Sequence, residues 1–476
     1  MRNHFLAFLL FPFGLPTPLT ASQPRPNIVV ILADDLGYGD LSCYRQEPKN
    51  PDAPTYTPHL DSIAAQGVKF TQAYATQMCS PSRASLLTGK YPQRFGFYNN
   101  GDSHVGLPKP QQTFANLFKS AGYATACIGK WHVGNKPGYR PLERGFDRFY
   151  GFLGAAHDYF KPDLGTDTDG ALEQGSFVYS QNEPVKQMKY LTEQLADEAI
   201  DFINSSHKKG VPFCLYLPFS APHGPNQAEP AADREFARVP HTRNPERTRV
   251  RAMLDSLDKN IGRITRELFL LGIESDTVVV FASDNGGNEY EQPDGIRTVE
   301  HNGGLRGRKF MMWEGGIRVP MMIRWKGTVP EGGIVNGTCN LFDIFATIAG
   351  AADIAIPNEC QVDAVDLLPY AKGQRTGSPH EFIHSTTSPK ENLWSVRKGP
   401  WKLVHDADSM MLPKSQLVQN KPTVISSYLF NIEEDPGERR NLIDLHPEIA
   451  AALNQAHEHF LSGCPPSIAE EQKRKR

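Results

Sequence analysis

An α/β fold with a large, mostly parallel central sheet and helices on both of its faces is predicted by three features of this 476-residue sequence. Short apolar runs rich in β-branched residues alternate with amphipathic segments as far as about residue 377. The composition, 39% hydrophobic and 22% charged, suits a chain with a large core and more than one domain. Two segments repeat apolar residues at helical spacing and predict helices packed on the sheet: Leu191, Leu195, Ala199 and Ile203, then Met253, Leu257, Ile261, Ile264 and Leu268.

Two of the predicted strands, residues 27–32 and residues 277–281, are followed by acidic residues. In an open α/β sheet, ligands gather outside the carboxyl ends of the strands, so these side chains are predicted to meet at one site. Three carboxylates repel one another unless a cation lies between them, and with one amide oxygen they form a shell suited to Ca²⁺ or Mg²⁺. Each strand end alone would also fit an Asp-rich turn without a ligand. The predicted metal ligands are Asp34, Asp35, Asp284 and Asn285.

A cysteine motif lies between these two strand ends. Residues 79–83 read Cys-Ser-Pro-Ser-Arg, a run of the form C-x-P-S-R. Its four fixed letters are expected by chance in about one in a thousand chains of this length at average residue usage. The cysteine is either the precursor of a covalent catalyst or a buried thiol at the start of a helix. The other motifs of the chain decide between these two interpretations.

Three further positions carry candidate catalytic side chains. Residues 129–132 read Gly-Lys-Trp-His after a strand-like run, which could place the Lys130 ammonium on an anionic oxygen and the His132 imidazole beside a nucleophile. His223 follows another strand-like run, and Lys309 lies in the segment R-K-F-M-M-W-E-G-G. Each of these patterns alone also fits a solvated loop or a structural histidine.

Together, these segments resemble the sulfatases, in which a maturation enzyme converts the motif cysteine to the aldehyde formylglycine. The matching segments run from Asp34 to Lys309. The resemblance implies an alkaline-phosphatase-like fold with a smaller C-terminal antiparallel sheet, and an enzyme that hydrolyses sulfate esters. It also implies formylglycine at Cys79, whose hydrate attacks sulfur, and one Ca²⁺ bound by this residue and the four oxygen ligands. Arg308 and Phe310 depart from the family pattern, because they stand where glycines are usual and leave the backbone less free.

The same resemblance implies roles for the basic residues of the motifs. Arg83, Lys130 and Lys309 are expected to neutralise the sulfate. His223, with Lys309, is expected to protonate the departing alcohol oxygen. His132 is expected to take a proton from the remaining hydroxyl of the hydrate, which expels sulfate.

The substrate is predicted to be a sulfated carbohydrate, such as a terminal sulfated galactose or N-acetylgalactosamine, with an aryl sulfate as a simple substitute. Polar side chains suit a hydroxyl-rich ring better than a flat sterol. The alternatives are a phosphonate monoester or phosphodiester hydrolase of the same superfamily, and a catalytically silent binding protein in which Cys79 is never converted. The candidate substrate-binding residues are His104, His157, Asp158, His301 and Arg306.

The chain is predicted to consist of a signal peptide, residues 1–21, a catalytic domain, residues 22–377, and a C-terminal subdomain, residues 378–476. A charged start, an apolar stretch and a small-residue cleavage site predict export. No run of about 18 apolar residues follows, so no integral membrane segment is predicted. Within the C-terminal part, residues 393–404 predict a β-hairpin and residues 447–461 predict a terminal helix.

The net charge is −3 with both signs interspersed, which argues against a nucleic-acid groove. Two of the seven cysteines, Cys127 and Cys214, lie within predicted strands and are expected to be buried thiols. Cys339 and Cys360 flank a helix-like segment and could form a disulfide, although a sequence alone does not assign a pairing. Residues 226–246 are rich in Pro and Arg without periodicity and predict a long loop near the site.

Overall fold

The structure is a computed structural model that describes residues 25–45, 56–163, 177–229, 245–288, 301–387, 393–407 and 425–475. The predicted signal peptide, residues 1–21, and most of the predicted loop, residues 226–246, lie outside the described residues. Within the described ranges, no helix combines the length and the apolar composition that crossing a membrane requires.

The larger of the two sheets has eleven strands in the described residues. Their bounds are β1 Asn27–Asp34, β2 Val68–Tyr74, β3 Ala124–Lys130, β4 Arg148–Phe152, β5 Tyr179–Ser180, β6 Glu183–Pro184, β7 Phe213–Pro222, β8 Thr277–Ser283, β9 Arg318–Arg324, β10 Gly333–Val335 and β11 Cys339–Asn340. The strand order is β10-β2-β9-β8-β1-β7-β3-β4-β5-β6, and β11 pairs with β2. The central strands β8, β1, β7, β3 and β4 run parallel, so their carboxyl ends share one edge of the sheet.

Strand β1 lies at the centre of the core because it is buried on both faces. Ile28, Val30 and Leu32 belong to one apolar cluster, whereas Val29 and Ile31 belong to the other. This division follows from the two-residue period of a strand. A continuous apolar run is what a parallel strand covered on both faces requires, which confirms the predicted sheet.

Helices cover both faces of the sheet. Their bounds are α1 Pro58–Ala65, α2 Cys79–Thr88, α3 Phe114–Ser120, α4 Leu191–Lys209, α5 Pro245–Leu270, α6 Glu314–Ile317, α7 Asp343–Ala351, α8 Leu368–Ala371, α9 Pro447–Ser462 and α10 Ile468–Arg474. Both predicted apolar stripes lie on helices, the first on α4 and the second on α5, and both pack in the same cluster as Val29 and Ile31. The two helix predictions are therefore confirmed.

The smaller sheet is antiparallel and has the order β12-β13-β14-β15. Its strands are β12 Ile383–Thr386, β13 Trp394–Lys398, β14 Trp401–Ala407 and β15 Ile425–Asn431. The predicted hairpin is β13 and β14, and the predicted terminal helix is α9, which packs on one face of this sheet. The sheet begins close to the predicted subdomain boundary at residue 378, although the division of the chain into domains stays a prediction.

The seven cysteines all lie in described residues, and all are free thiols there. Cys127 and Cys214 are completely buried within β3 and β7, as predicted. The suggested disulfide between Cys339 and Cys360 was wrong. Cys339 is buried on β11, and Cys360 ends a separate 3-10 helix, so a short distance along the chain did not bring the two sulfurs together.

Candidate active site

The carboxyl ends of β1 and β8 bring three carboxylates together. Asp34 ends β1, Asp284 follows the last residue of β8, and the two strands are parallel neighbours. The backbone N–H of Asp35 donates to Oδ1 of Asp284 at 3.2 Å. Asp35 has a φ of 64°, in the left-handed region, and the chain therefore turns away from the strand at this residue. All three carboxylates are buried.

Helix α2 presents the cysteine motif to this edge of the sheet. Cys79 is its first residue, and every residue of the helix is buried. Arg83 lies four residues later, so its side chain leaves the same face of the helix as that of Cys79. Nε and Nη2 of Arg83 donate to Oδ2 of Asp284 at 3.0 and 2.8 Å, and Nη1 donates to the Lys130 carbonyl at 2.9 Å. The spacing of the motif thus ties the start of α2 to the ends of β8 and β3.

Two lysines pair with the remaining carboxylates. Nζ of Lys130, the last residue of β3, donates to Oδ2 of Asp34 at 2.5 Å. Nζ of Lys309 lies 2.7 Å from Oδ1 of Asp35. Lys130 is 0% exposed and Lys309 is 2% exposed. Together with Arg83, these lysines place three cations among three carboxylates, a concentration of buried charge that is stable only when each charge is paired or bound to a ligand.

Burial and the neighbouring charges shift the pKa values of two of the carboxyl groups in opposite directions. Burial raises the pKa of Asp284 to about 6, and the negative charge of Asp34 adds to this effect. Burial would also raise the pKa of Asp35, but the charge of Lys309, with a contribution from Lys130, outweighs it and lowers that pKa. The pKa of Lys309 is raised well above its ordinary value, because the charge of Asp35 outweighs the effect of burial. Lys309 is therefore held as a cation.

Both histidines of the site are neutral in the free protein. Nδ1 of His223 lies 2.7 Å from the Gly224 carbonyl, and Nε2 lies 3.6 Å from Oδ2 of Asp35. With hydrogen on Nδ1, the unprotonated Nε2 faces the carboxylates. Burial lowers the pKa of His223 to about 3, with a contribution from the Lys130 charge. Burial and the same lysine lower the pKa of His132 well below its ordinary value.

The carboxylate and amide oxygens of the site fit a cation that prefers oxygen ligands. Ligand atoms of Asp34, Asp35, Cys79 and His223 all lie within 4.8 Å of one another. Two buried oxygens beside them, Oδ1 of Asp34 and Oδ1 of Asn285, accept no hydrogen bond. Nδ2 of Asn285 donates to Oδ1 of Asp35 at 2.8 Å, which fixes the amide with its oxygen unused. Buried acceptors without donors are what an oxygen-ligated Ca²⁺ or Mg²⁺ would satisfy.

Two of the predicted substrate-binding residues lie on segments that contact α2 or the turn after β1. His104 is exposed at the end of a 3-10 helix, and Asn100 of this helix accepts a hydrogen bond from the Ser80 N–H at 3.2 Å. His301 is half-buried beside the turn that follows β1, where its backbone N–H donates to Oδ2 of Asp40 at 2.9 Å. Both residues therefore lie close to elements that carry site residues.

His157 and Asp158 form a tight local structure after β4. His157 is buried, and its Nδ1 lies 2.8 Å from the Asp158 carbonyl. Oδ1 of Asp158 accepts from the backbone N–H groups of Phe160 and Lys161, both at 2.8 Å, and Oδ2 accepts from the Gln227 amide at 2.8 Å. The Asp158 carboxylate therefore joins two loops.

Arg306, the fifth candidate, contacts the C-terminal part of the chain. Nη1 donates to the Glu438 carbonyl at 2.9 Å, and the guanidinium carbon lies 3.7 Å from the centre of the Trp313 ring. The structure thus places this side chain between Trp313 and the chain near Glu438. The substrate-binding roles of all five residues remain predictions.

Two supporting residues were missed by the sequence analysis. The buried Tyr159 donates through its hydroxyl to the His223 carbonyl at 2.8 Å. The carbonyl of Gln77 accepts from the Phe310 N–H at 2.8 Å, and Phe310 has a φ of 75°. The segment after Lys309 thus adopts a left-handed turn even though a bulky residue occupies it. No sequence pattern marks Tyr159 or Gln77, because each supports the site through a hydrogen bond that involves a main-chain group.

A sequence model of the Sulfatase family matches residues 26–354, which is more than half of the chain. The chain belongs to the sulfatase family. The match spans every predicted catalytic and metal-binding residue, from Asp34 to Lys309, and ends before the four-stranded sheet. This sulfatase is accordingly a sulfuric ester hydrolase.

Similar proteins of known name align with almost the whole length of this sulfatase. It is 33% identical to the N-acetylgalactosamine-6-sulfatase of Rattus norvegicus, over 92% of this chain and 85% of the relative. It is 30% identical to the steryl-sulfatase of Mus musculus, over 95% of this chain and 85% of the relative. The crystal structure of Ps i-CgsB in complex with k-i-k-neocarrahexaose matches with a TM-score of 0.79 and 28% identity, over 93% of this chain and 94% of that chain. The predicted alkaline-phosphatase-like fold is confirmed.

Proposed function

We propose that this sulfatase removes sulfate from sulfated carbohydrates by means of a formylglycine made from Cys79 and one bound Ca²⁺. The observation that carries the proposal is the grouping of Cys79 with paired carboxylates and cations at one buried point of the sheet edge. A sulfate ester is an anion with several equivalent oxygens, so a cluster of fixed cations suits it.

The side chain of Cys79 is a poor nucleophile as it stands. Burial raises the pKa of its thiol, which disfavours the reactive thiolate. Formylglycine at this position would supply a hydrated aldehyde whose oxygen acts as the nucleophile. Because Cys79 is only 1% exposed, the maturation enzyme must reach the motif before α2 is buried.

The cations of the site divide into orienting and binding groups. Every nitrogen of the Arg83 guanidinium donates to Asp284 or to the Lys130 carbonyl, so Arg83 holds the site together and adds positive potential. Lys130 and Lys309 each carry an ammonium with three donors, of which the partners Asp34 and Asp35 use only part. We assign sulfate binding chiefly to these two lysines.

The two neutral histidines are assigned the proton transfers. His223 presents Nε2 toward the site, and the negative charge of a bound ester would offset the lysine charges that lower its pKa. His223 can then carry a proton to the departing alcohol oxygen. His132 stays neutral because of burial and its cationic neighbours, and is therefore suited to accept a proton beside residue 79.

Calcium is assigned to the four predicted oxygen ligands Asp34, Asp35, Asp284 and Asn285. The two buried oxygens without donors support this assignment. When bound, the ion would supply positive charge to the sulfate oxygens and offset the carboxylates. Export, after removal of residues 1–21, is also proposed and rests on the sequence pattern of the N-terminus.

A carbohydrate substrate is supported by the names of one relative and one solved structure and by polar residues near the site, whereas the steryl-sulfatase relative is the reason for including a steroid sulfate in the test. One relative is named for N-acetylgalactosamine 6-sulfate chemistry, and one solved structure contains a neocarrahexaose. His104 and His301 add polar groups close to the elements of the site. A hydroxyl-rich ring needs such groups, whereas a sterol needs an apolar slot.

The test is a panel of sulfated oligosaccharides of galacto and gluco configuration, together with a steroid sulfate, a nitrophenyl sulfate and a phosphate diester. Released sulfate and the desulfated sugar are measured by chromatography. We expect a galacto-configured saccharide to have the highest kcat/KM. Efficient turnover of the steroid sulfate with no desulfated sugar would contradict the carbohydrate assignment. A phosphate diester that outperforms every sulfate would favour the alternative phosphodiesterase function.

A further inference from the structure

The segment that follows Lys309 is enclosed between the active site and the C-terminal sheet. Met311, Met312 and Trp313 are completely buried. Their side chains lie in one apolar cluster with Val404, Phe430 and Ile432. The C-terminal sheet therefore packs directly on the chain that carries an active-site lysine.

Strand β14 has two faces with different partners. Successive side chains of a strand point in opposite directions, which places Lys402, Val404 and Asp406 on one face. Oδ2 of Asp406 accepts a hydrogen bond from the Met312 N–H at 3.0 Å, on the side of the Lys309 segment. Leu403, on the other face, packs in a separate cluster with residues of α9. Polar groups buried at alternate positions need partners, and here the partners lie on the Lys309 segment.

Lys402 joins two buried carboxylates. Its Nζ donates to Oε1 of Glu314 at 3.0 Å and to Oε1 of Glu438 at 2.8 Å. Oε2 of Glu438 accepts from the Glu314 N–H at 2.7 Å. Lys402 is 1% exposed and both glutamates are 0% exposed. Glu314 also pairs with Arg318 at 3.4 Å, so removal of the Lys402 ammonium would take away one of its counter-charges and the ion-pair contact that links it to Glu438. This contact therefore helps to fix where Glu314 lies.

Phe310 shows why the segment needs support from both sides. Its φ of 75° lies in a region that side chains other than glycine rarely adopt, and such a conformation persists only where the surroundings impose it. On the catalytic side, Phe310 donates to the Gln77 carbonyl at 2.8 Å, and the Lys309 N–H donates to the Gly287 carbonyl at 3.1 Å. On the other side, the segment is held by the C-terminal sheet.

We propose that the C-terminal sheet positions Lys309, with Lys402 acting as the positioning residue through Glu314. The sheet lies beyond residue 354, where the match to the sulfatase family ends. Lys402 touches none of the proposed sulfate-binding groups and acts only through the segment. The inference rests on the proposed sulfate-binding role of Lys309, whose Nζ lies 2.7 Å from Asp35.

A double-mutant cycle on kcat/KM tests this proposal. Lys402→Met, which preserves most of the side-chain volume and removes the charge, is expected to lower kcat/KM by about 10- to 100-fold, the scale of a 1 Å misplacement. In a Lys309→Ala background, the same substitution is expected to change kcat/KM by less than about twofold, because no lysine remains there for Lys402 to position. A change of this size is within the usual error of a double-mutant cycle. Inhibition by inorganic sulfate should weaken in Lys402→Met. The double variant should be inhibited by sulfate to the same extent as Lys309→Ala alone.

Neighbouring residues on β14 provide a matched control if Lys402→Met does not fold. Val404→Ala opens space against the Lys309 segment, whereas Leu403→Ala opens space against α9. Both substitutions should lower the melting temperature, but only Val404→Ala should lower kcat/KM and weaken inhibition by sulfate.

Two results would overturn the inference. One is the same fold-loss of kcat/KM from Lys402→Met in the parent enzyme and in the Lys309→Ala variant. The other is the same change in kcat/KM and in sulfate inhibition from Val404→Ala and from Leu403→Ala. Failure of the underlying assignment is recognised separately, because Lys309→Ala alone would then retain full kcat/KM and full inhibition by sulfate.

Discussion

Replacement of His223 by alanine is predicted to slow esters of poor leaving groups much more than nitrophenyl sulfate. A sugar alcohol leaves as an unstable alkoxide unless it receives a proton, whereas nitrophenolate leaves without one. His223 is positioned for this transfer by the Gly224 carbonyl at Nδ1 and by Tyr159, whose hydroxyl binds the His223 carbonyl at 2.8 Å. Its side chain is 18% exposed, so Nε2 can reach a bound ester.

The expected magnitude follows from the groups that remain in the variant. General acid catalysis contributes about 10²–10⁴-fold to a rate, which corresponds to roughly 3–5 kcal/mol of transition-state stabilisation. Lys309 is the other proton donor proposed for this step, but its pKa is raised well above the ordinary value by Asp35. So weak an acid does not replace His223, and the loss on a sugar sulfate should therefore fall within that range. The loss on nitrophenyl sulfate should be less than about tenfold, because only binding is disturbed.

The assay compares kcat/KM for His223→Ala and the parent enzyme across aryl sulfates of graded leaving-group pKa and one sulfated saccharide. The dependence on leaving-group pKa should become steeper in the variant. Tyr159→Phe, which keeps the imidazole and removes its support, should show a smaller change in the same direction. Equal losses on the saccharide and on nitrophenyl sulfate would refute proton donation by His223 and assign it to sulfate binding.

Three further outcomes are expected. Exhaustive chelation should abolish turnover and Ca²⁺ should restore it, and Asp284→Asn should behave like the stripped enzyme; full activity in metal-free protein, with metal content measured directly, would contradict the assignment. Cys79→Ala should abolish turnover and leave the melting temperature almost unchanged, whereas retained turnover would exclude a nucleophile at this position. Burial lowers the pKa of both His384 and His457 to about 3, so both stay neutral in the fold but take up protons in the unfolded chain below their ordinary pKa of 6.5. These two histidines together should accordingly lower stability by about 3 kcal/mol between pH 6.5 and pH 5, and denaturant unfolding of His457→Phe should show a pH dependence that is smaller by about half of that amount.

The sheet and its carboxylates could be predicted because they follow simple patterns. A parallel strand buried on both faces is a continuous apolar run, and its end is marked by the first charged residue. Asp34 and Asp284 are such residues, and β1 and β8 are neighbours in the sheet. Only the general rule for strand ends was needed to bring them together.

His223 and Lys309 were identified through the family resemblance, because loop residues follow no periodic pattern. Their supports were not identified at all. Tyr159 and Gln77 each form a hydrogen bond with a main-chain group, and such contacts depend on the path of the chain rather than on a residue pattern. The sequence also gave no distance between Cys339 and Cys360, and the disulfide suggested for them was wrong.

The inward charges of β14 left a signal that was overlooked. Lys402 and Asp406 are buried, and they alternate with residues of the face that packs on α9. Buried charges at alternate positions indicate a partner surface of opposite character. The identity of that surface could not be read from the sequence, because the Lys309 segment lies far away along the chain.

The central claim, that residue 79 acts as formylglycine, is tested most directly by mass spectrometry of active enzyme. Trypsin releases residues 70–83, which contain the motif. We predict that this peptide has lost the thiol sulfur and carries an aldehyde oxygen instead, and that the converted fraction rises in proportion to kcat across preparations. Fully active enzyme whose peptide retains an unmodified Cys79 would contradict the account.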